Sequence, residues 1–144
     1  MGRIYLGKDA KLYHGTAGAD LASMSELTCV RDVTVTLETG EAESVSRASK
    51  WRKVAPTFNN CTLEFEMAYE PDDSGWQAIK DAWLNQTEIE LAALDGDKAD
   101  SAQGIKGTFH IMQFSVNQPL EEALTVSVTA RPSGDVEWVT AGGA

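Results

Sequence analysis

Histidine and cysteine are scarce in this chain, with two of each among 144 residues. His14 and His110 belong to no HExxH or other metal-ligand pattern. Cys29 and Cys61 match no zinc or redox spacing, and each adjoins an apolar, strand-like stretch where free buried thiols are expected. GxSxG, P-loop and GxGxxG motifs are missing as well. Basic residues are few: 12 Lys and Arg stand against 22 Asp and Glu, a formal charge of −10. That balance repels phosphate backbones and argues against specific nucleic-acid binding. No apolar run approaches the roughly 20 residues that cross a bilayer, so no membrane partner is expected. Met1–Asp9 lacks the apolar core of a secretory signal, and the chain reads as a soluble protein made in a cytoplasm.

Core-forming residues are plentiful. The apolar fraction is 42%, with 4 Trp, 4 Phe and 3 Tyr, enough to bury one domain's core. Apolar and polar residues alternate with a period of two from Val30 to Leu37, Thr62 to Tyr69, Glu88 to Leu94 and Leu124 to Arg131. Each is the pattern of a half-buried strand. Thr108–Val116 is β-prone but alternates less cleanly, which suggests a strand covered on both faces. These antiparallel-sheet signals dominate the chain.

One segment is helical instead. Pro71-Asp72-Asp73-Ser74-Gly75 supplies turn and N-cap chemistry, and a helix is expected over about 75–85. Trp76, Ile79, Trp83 and Leu84 are read as the stripe that packs it onto a sheet, and Asn85 as the residue that ends it. Glu38–Pro56 is polar, Ser-rich and aperiodic, so it reads as a long protruding loop of the kind that carries function. Within it Arg47, Lys50, Arg52 and Lys53 surround Trp51, an aromatic and basic anchor suited to docking on a neighbouring subunit. Asp95–Gly107, with three glycines, reads as an exposed loop.

No reaction chemistry is legible, and no catalytic, cofactor or metal residues are assigned. Glu64 and Glu66 lie i, i+2 on a strand's polar face, as many solvated strands do. Asp72 and Asp73 form a similarly weak pair. Asp95-Gly96-Asp97 with Asp100 lacks the final Glu of a calcium loop.

The order of features resembles the major tail (tail-tube) proteins of tailed bacteriophages over about residues 27–138. It runs from Val30-Arg31-Asp32-Val33-Thr34-Val35 through Ser46-Arg47 and Lys50-Trp51-Arg52 to Pro56-Thr57-Phe58-Asn59-Asn60-Cys61-Thr62-Leu63-Glu64-Phe65-Glu66-Met67. Pro71-Asp72-Asp73 then leads into the helix, and Ile89-Glu90-Leu91, Gly107-Thr108-Phe109, Asn117-Gln118-Pro119-Leu120, Leu124–Thr129 and Ser133-Gly134 follow. The Asn59-Asn60 turn stands where a glycine is expected.

The resemblance implies a mainly β fold of two packed antiparallel sheets, a sandwich or part-closed barrel, with a helix on the flank. It implies a single domain with an N-terminal arm over about 1–26 and a short C-terminal tail over about 139–144. It also implies a non-enzymatic virion protein, assembled in the host cytoplasm into hexameric rings stacked as a hollow tube through which DNA passes. Type VI secretion tubes share this architecture. Partners by resemblance are further copies and the tape-measure, tail-terminator and distal tail proteins. Glu64, Glu66, Glu88 and Glu90 are the candidate lining of the channel. Two other readings stay open: a monomeric β-sandwich module binding carbohydrate or protein ligands, with Trp51 as a stacking platform for sugars, and a small hydrolase using His14 or His110 as base.

Overall fold

The structure, a computed structural model, describes residues 6–97 and 102–140. Alternation turns most of these residues into strand. The elements are β1 (Lys11–Thr16), β2 (Ser25–Glu26), β3 (Val30–Ser44), β4 (Lys53–Ala68), α1 (Ser74–Leu84), β5 (Glu88–Leu94), β6 (Gln103–Asn117) and β7 (Thr125–Thr140). All pairings are antiparallel, in the order β2-β1-β5-β6-β7-β4-β3. The fold is mainly β with one flanking helix, as the alternation indicates.

The hydrogen bonding runs unbroken through one open sheet, and the two packed layers expected of a sandwich are halves of it. The reason is the length of β6 and β7. Gly104–His110 of β6 pairs with β5, while Ile111–Asn117 pairs with the first part of β7, whose Thr125–Ala130 also pairs with β4. Register shifts at Gly107/Phe109 and Ile111/Gln113 mark the change. Bulges bend a strand and let it pass from one layer to another. Leu12, Ile89 and Leu91 from one half accordingly share a core with Leu63, Phe65 and Met67 from the other, around Phe109, Val126 and Val128. The result is sandwich-like packing within one continuous sheet.

Finer expectations shift. Burial on both faces falls on β5, not β6: Ile89 and Leu91 enter the main core while Ala92 and Leu94 join a second cluster with Tyr13, Met24 and Ala102. The glycine-rich break shrinks, because β6 begins at Gln103 and takes in Gly104 and Gly107. There glycine permits close strand approach, since a Cβ on Gly104 would collide with the carbonyl oxygen of Ala93. Within the expected N-terminal arm, Lys11–Thr16 and Ser25–Glu26 join the sheet as β1 and β2, and Leu12, Tyr13 and Met24 are buried. Of the expected C-terminal tail, Val139 and Thr140 finish β7. Residues 1–5, 98–101 and 141–144 lie outside the described residues.

Candidate assembly surfaces

The long loop of the sequence reading is mostly strand. β3 and β4 stay paired from Leu37↔Cys61 through Thr39↔Asn59 to Ser44↔Lys53, so only residues 45–52 form the connection. This ribbon has no core on either side, and Lys53–Asn60 is exposed throughout. With both faces wet, nothing selects alternating residues, which is why the period vanishes. At the tip Ser46 Oγ accepts from the Ala48 N–H (3.3 Å) and Ser49 Oγ from the Trp51 N–H (3.1 Å), local bonds typical of turns. Trp51 is 80% exposed. Arg52 pairs with Glu43 across the hairpin at 3.1 Å, whereas Arg47, Lys50 and Lys53 form no ion pair among the described residues.

β3 is also a free sheet edge, 15 residues long, while the opposite edge is the two-residue β2. Val33, Val35 and Leu37 stand opposite the buried Phe65, Leu63 and Cys61, yet are themselves substantially exposed. The inner apolar face therefore continues to the rim without cover.

The four acidic candidates do not form one patch. Glu64 and Glu66 share the polar face of β4, in register with Thr129 and Ser127, and Glu66 pairs with Arg31 at 3.3 Å. Glu88 and Glu90 are on β5, separated by β6 and β7, about 14 Å at ordinary strand spacing. Glu88 is exposed, 3.9 Å from His110 Nε2. Glu90 is buried, not open to a channel: its carboxylate accepts from Lys106 Nζ (2.6 Å), Thr108 Oγ1 (2.6 Å) and the Gly18 N–H (3.0 Å).

In α1, Asp73 is the N-cap, accepting from the Trp76 N–H at 3.0 Å. Trp76 and Ile79 pack on the sheet with Ala82, and Trp76 meets Tyr69 and Phe114 edge-on. Trp83 and Leu84 do not hold the helix down, being 43% and 58% exposed. Leu84 falls about 140° round the helix from Ile79, and Ala82 takes the buried place in that last turn. The helix ends through Gln86, in the left-handed region at φ 54°, while Asn85 stays right-handed. The N–H groups of Gln86 and Thr87 donate to Trp83 and Ala82 carbonyls, a Schellman closure.

One cluster escaped the sequence reading. Cys29 Sγ lies 4.0 Å from Asp73 Oδ2, and His14 Nε2 and Asp73 both crowd the space beside Gly75. The chemistry is that of packing. Burial, then Asp73 and Glu70, push the Cys29 thiol up to about 11, the reverse of nucleophile activation. Burial lowers the His14 pKa despite Asp73. Both cysteines are free and buried. No group of three or more His, Cys, Asp or Glu among the described residues could hold a metal, and Asp100 of the calcium-like run lies outside them. A cleft of about 660 Å³ opens where β4 and β7 diverge, lined by Leu37, Cys61, Val136 and Trp138 among others. Trp51, 80% exposed at the hairpin tip, does not line it.

A projecting hairpin and an open apolar edge are surfaces suited to assembly. The sequence profile of the phage tail tube proteins matches residues 6–137. This chain belongs to the phage tail tube protein family. It is a structural, non-enzymatic component of the virion tail. No curated protein sequence gives a match, but solved structures share the fold at low identity. The tail of an empty gene transfer agent particle, refined with C6 symmetry, has a TM-score of 0.74 at 13% identity, covering 93% of this chain and 98% of that one. The SPP1 tail tube gives 0.75 at 19%, covering 97% and 80%. A chain of the anti-feeding prophage baseplate, six-fold symmetrised, gives 0.65 at 7%, covering 99% and 100%. The tail tube fold thus spans nearly all of this chain.

Proposed function

We propose that this tail tube protein self-assembles into hexameric rings that stack as a hollow conduit for DNA, built in the host cytoplasm alongside tape-measure, terminator and distal tail proteins. The observation that carries the reading is β3, a 15-residue unpaired edge whose apolar side stays open. Such an edge is a liability in a monomer, and joining it to the next subunit satisfies its backbone groups. Six-fold symmetry in two of the structural relatives supports the ring number. Glu64 and Glu66 suit the channel wall, on a face shared with Thr34, Thr62, Ser127, Thr129 and Gln113. Arg31 is one base on that face, paired with Glu66, and Arg131 follows Thr129 along it. Glu88 is kept as a lining candidate at the bend; Glu90 is not.

Negative-stain electron microscopy of the purified chain tests this. Rings or tubes are expected; monodisperse monomers at every concentration and ionic strength tried would refute it.

A further inference from the structure

Three stretches of chain meet at the start of α1. β1 brings His14, the link before β3 brings Leu27 and Cys29, and the helix brings its cap, Asp73. The Leu27 N–H donates to the Leu12 carbonyl (2.8 Å) and ties the link to β1. All three stretches close over Gly75, the second residue of the helix. A Cβ there would lie 2.5 Å from Leu27 Cδ1, 3.0 Å from His14 Nε2 and 3.1 Å from Asp73 Oδ2. Glycine is what lets the imidazole and the carboxylate crowd the same point. Asp73 Oδ2 is already engaged, accepting from the Trp76 N–H (3.0 Å) with the Cys29 thiol at 4.0 Å. His14 makes no hydrogen bond or ion pair among the described residues. It also lines a cleft of about 490 Å³ with Thr16, Ser25, Thr87, Asp81 of α1 and Glu88 of β5. The titratable groups around the ring are therefore Asp73 and Cys29 at the helix start, and Asp81 and Glu88 along the cleft.

This place suits a neutral ring. Burial outweighs the Asp73 charge and holds the His14 pKa below its ordinary value. Nε2 also lies against the first turn of a helix, whose positive end disfavours a cation. We infer that His14 is an acid-sensitive joint: on taking up a proton it loosens β1 from the first turn of α1 while the sheet core stays folded. Asp73 is the carboxylate that attracts the new charge. Drawing its Oδ2 to the ring takes it from the Trp76 N–H and uncaps the helix. The Cys29 thiol, pushed up to about 11, stays neutral throughout. The closed joint binds this proton less readily than the open one. Its stability is complete above the open-state value, about 6.5, and is lost as pH falls past it. Between pH 7.5 and 5.0 the opening constant rises by up to about 30-fold, the limit for a closed form that takes up no proton.

Hydrogen–deuterium exchange of the unassembled full chain, read by mass spectrometry and corrected for the intrinsic effect of pH, provides the test. From pH 7.5 to 5.0, exchange within α1 should rise at least about fivefold, while Leu63–Met67 of β4 stays protected. His14→Gln, which cannot take up the charge, should abolish the rise, and His110→Gln should keep it. The His14 ring of the parent chain, followed by nuclear magnetic resonance, needs no variant and should titrate below about 6.5. The inference is overturned if α1 exchange is flat across this range, or if His14→Gln keeps the full rise. A parent ring that titrates at or above about 6.5 overturns it as well.

Discussion

Replacing Glu90 by alanine tests whether its buried ion pair, which also receives the Gly18 N–H, stabilises the fold. Glu90 is 3% exposed and receives three hydrogen bonds, from Lys106, Thr108 and Gly18. The Lys106 side chain is itself only 12% exposed, so alanine strands an ammonium in a poorly hydrated site. Breaking a buried pair from one side costs about 3–5 kcal/mol. Against a typical total of about 5–15 kcal/mol, and for a domain of this size, that is a Tm lower by roughly 10–15 °C. Removing both charges in Glu90→Leu/Lys106→Met leaves no orphan and should cost about 1 kcal/mol or less. Urea unfolding of the unassembled chain, followed by tryptophan fluorescence, compares the parent, the single and the double variant.

The same site sets a pH dependence. Burial pushes the Glu90 carboxyl up, but hydrogen bonds from Lys106, Thr108 and the Gly18 N–H, with the Lys106 charge, outweigh it and hold the pKa below the ordinary value. The folded state therefore releases this proton more readily than the unfolded chain. The stabilisation is complete above the unfolded carboxylate value, about 4.3, and fades as pH falls through the lower folded value. The gap between parent and Glu90→Gln should narrow accordingly in acid. A Glu90→Ala chain within about 1 kcal/mol of the parent, or a double variant no better than the single one, refutes the account.

Two further outcomes check the packing. Gly104→Ala places a Cβ against the Ala93 backbone and should cost about 3 kcal/mol or more by thermal unfolding. Gly134→Ala, with nothing within 4 Å, should stay within about 0.5 kcal/mol. Cys29 and Cys61 should resist iodoacetamide at pH 8 in the folded chain and label at least about 100-fold faster in urea, read by mass spectrometry; fast native labelling would contradict their burial and raised pKa values.

What could be read in the sequence follows from where water is excluded. Leu63, Phe65 and Met67 alternate because one face of β4 meets the core, so that strand is plain in the residues. The same strand eight residues earlier is unreadable: Val54 and Phe58 are solvent-exposed, and no face is selected. Asp73 announces its cap by local chemistry, but Leu84 shares the helix spacing without sharing its buried side. Glu90 shows the limit most clearly. Its position two residues after Glu88 suggests a wet face, and what buries it, the segment at Gly18, lies 72 residues away in sequence. The basic tip was legible as composition; the neighbourhood of Glu70 and Asp72 with Glu121 and Glu122 was not, because the Tyr69–Leu124 hydrogen bond joins two separate stretches.

The charge on β3 also bears on why an open edge need not end in a closed dimer. Arg31 is taken by Glu66 and Glu43 by Arg52, which leaves Asp32, Glu38 and Glu41 as the unpaired charges along that edge strand. Two β3 strands laid together antiparallel would bring these carboxylates onto one small ribbon, and like charges facing across a strand pair are destabilising. The other edge is a two-residue strand, too short to mirror a 15-residue one. A two-fold partner is therefore the poorest fit for β3, and the better fit is a different surface of the next copy. Repeated side by side, such a heterologous contact gives a ring where its rotation closes, which is what the proposed assembly requires.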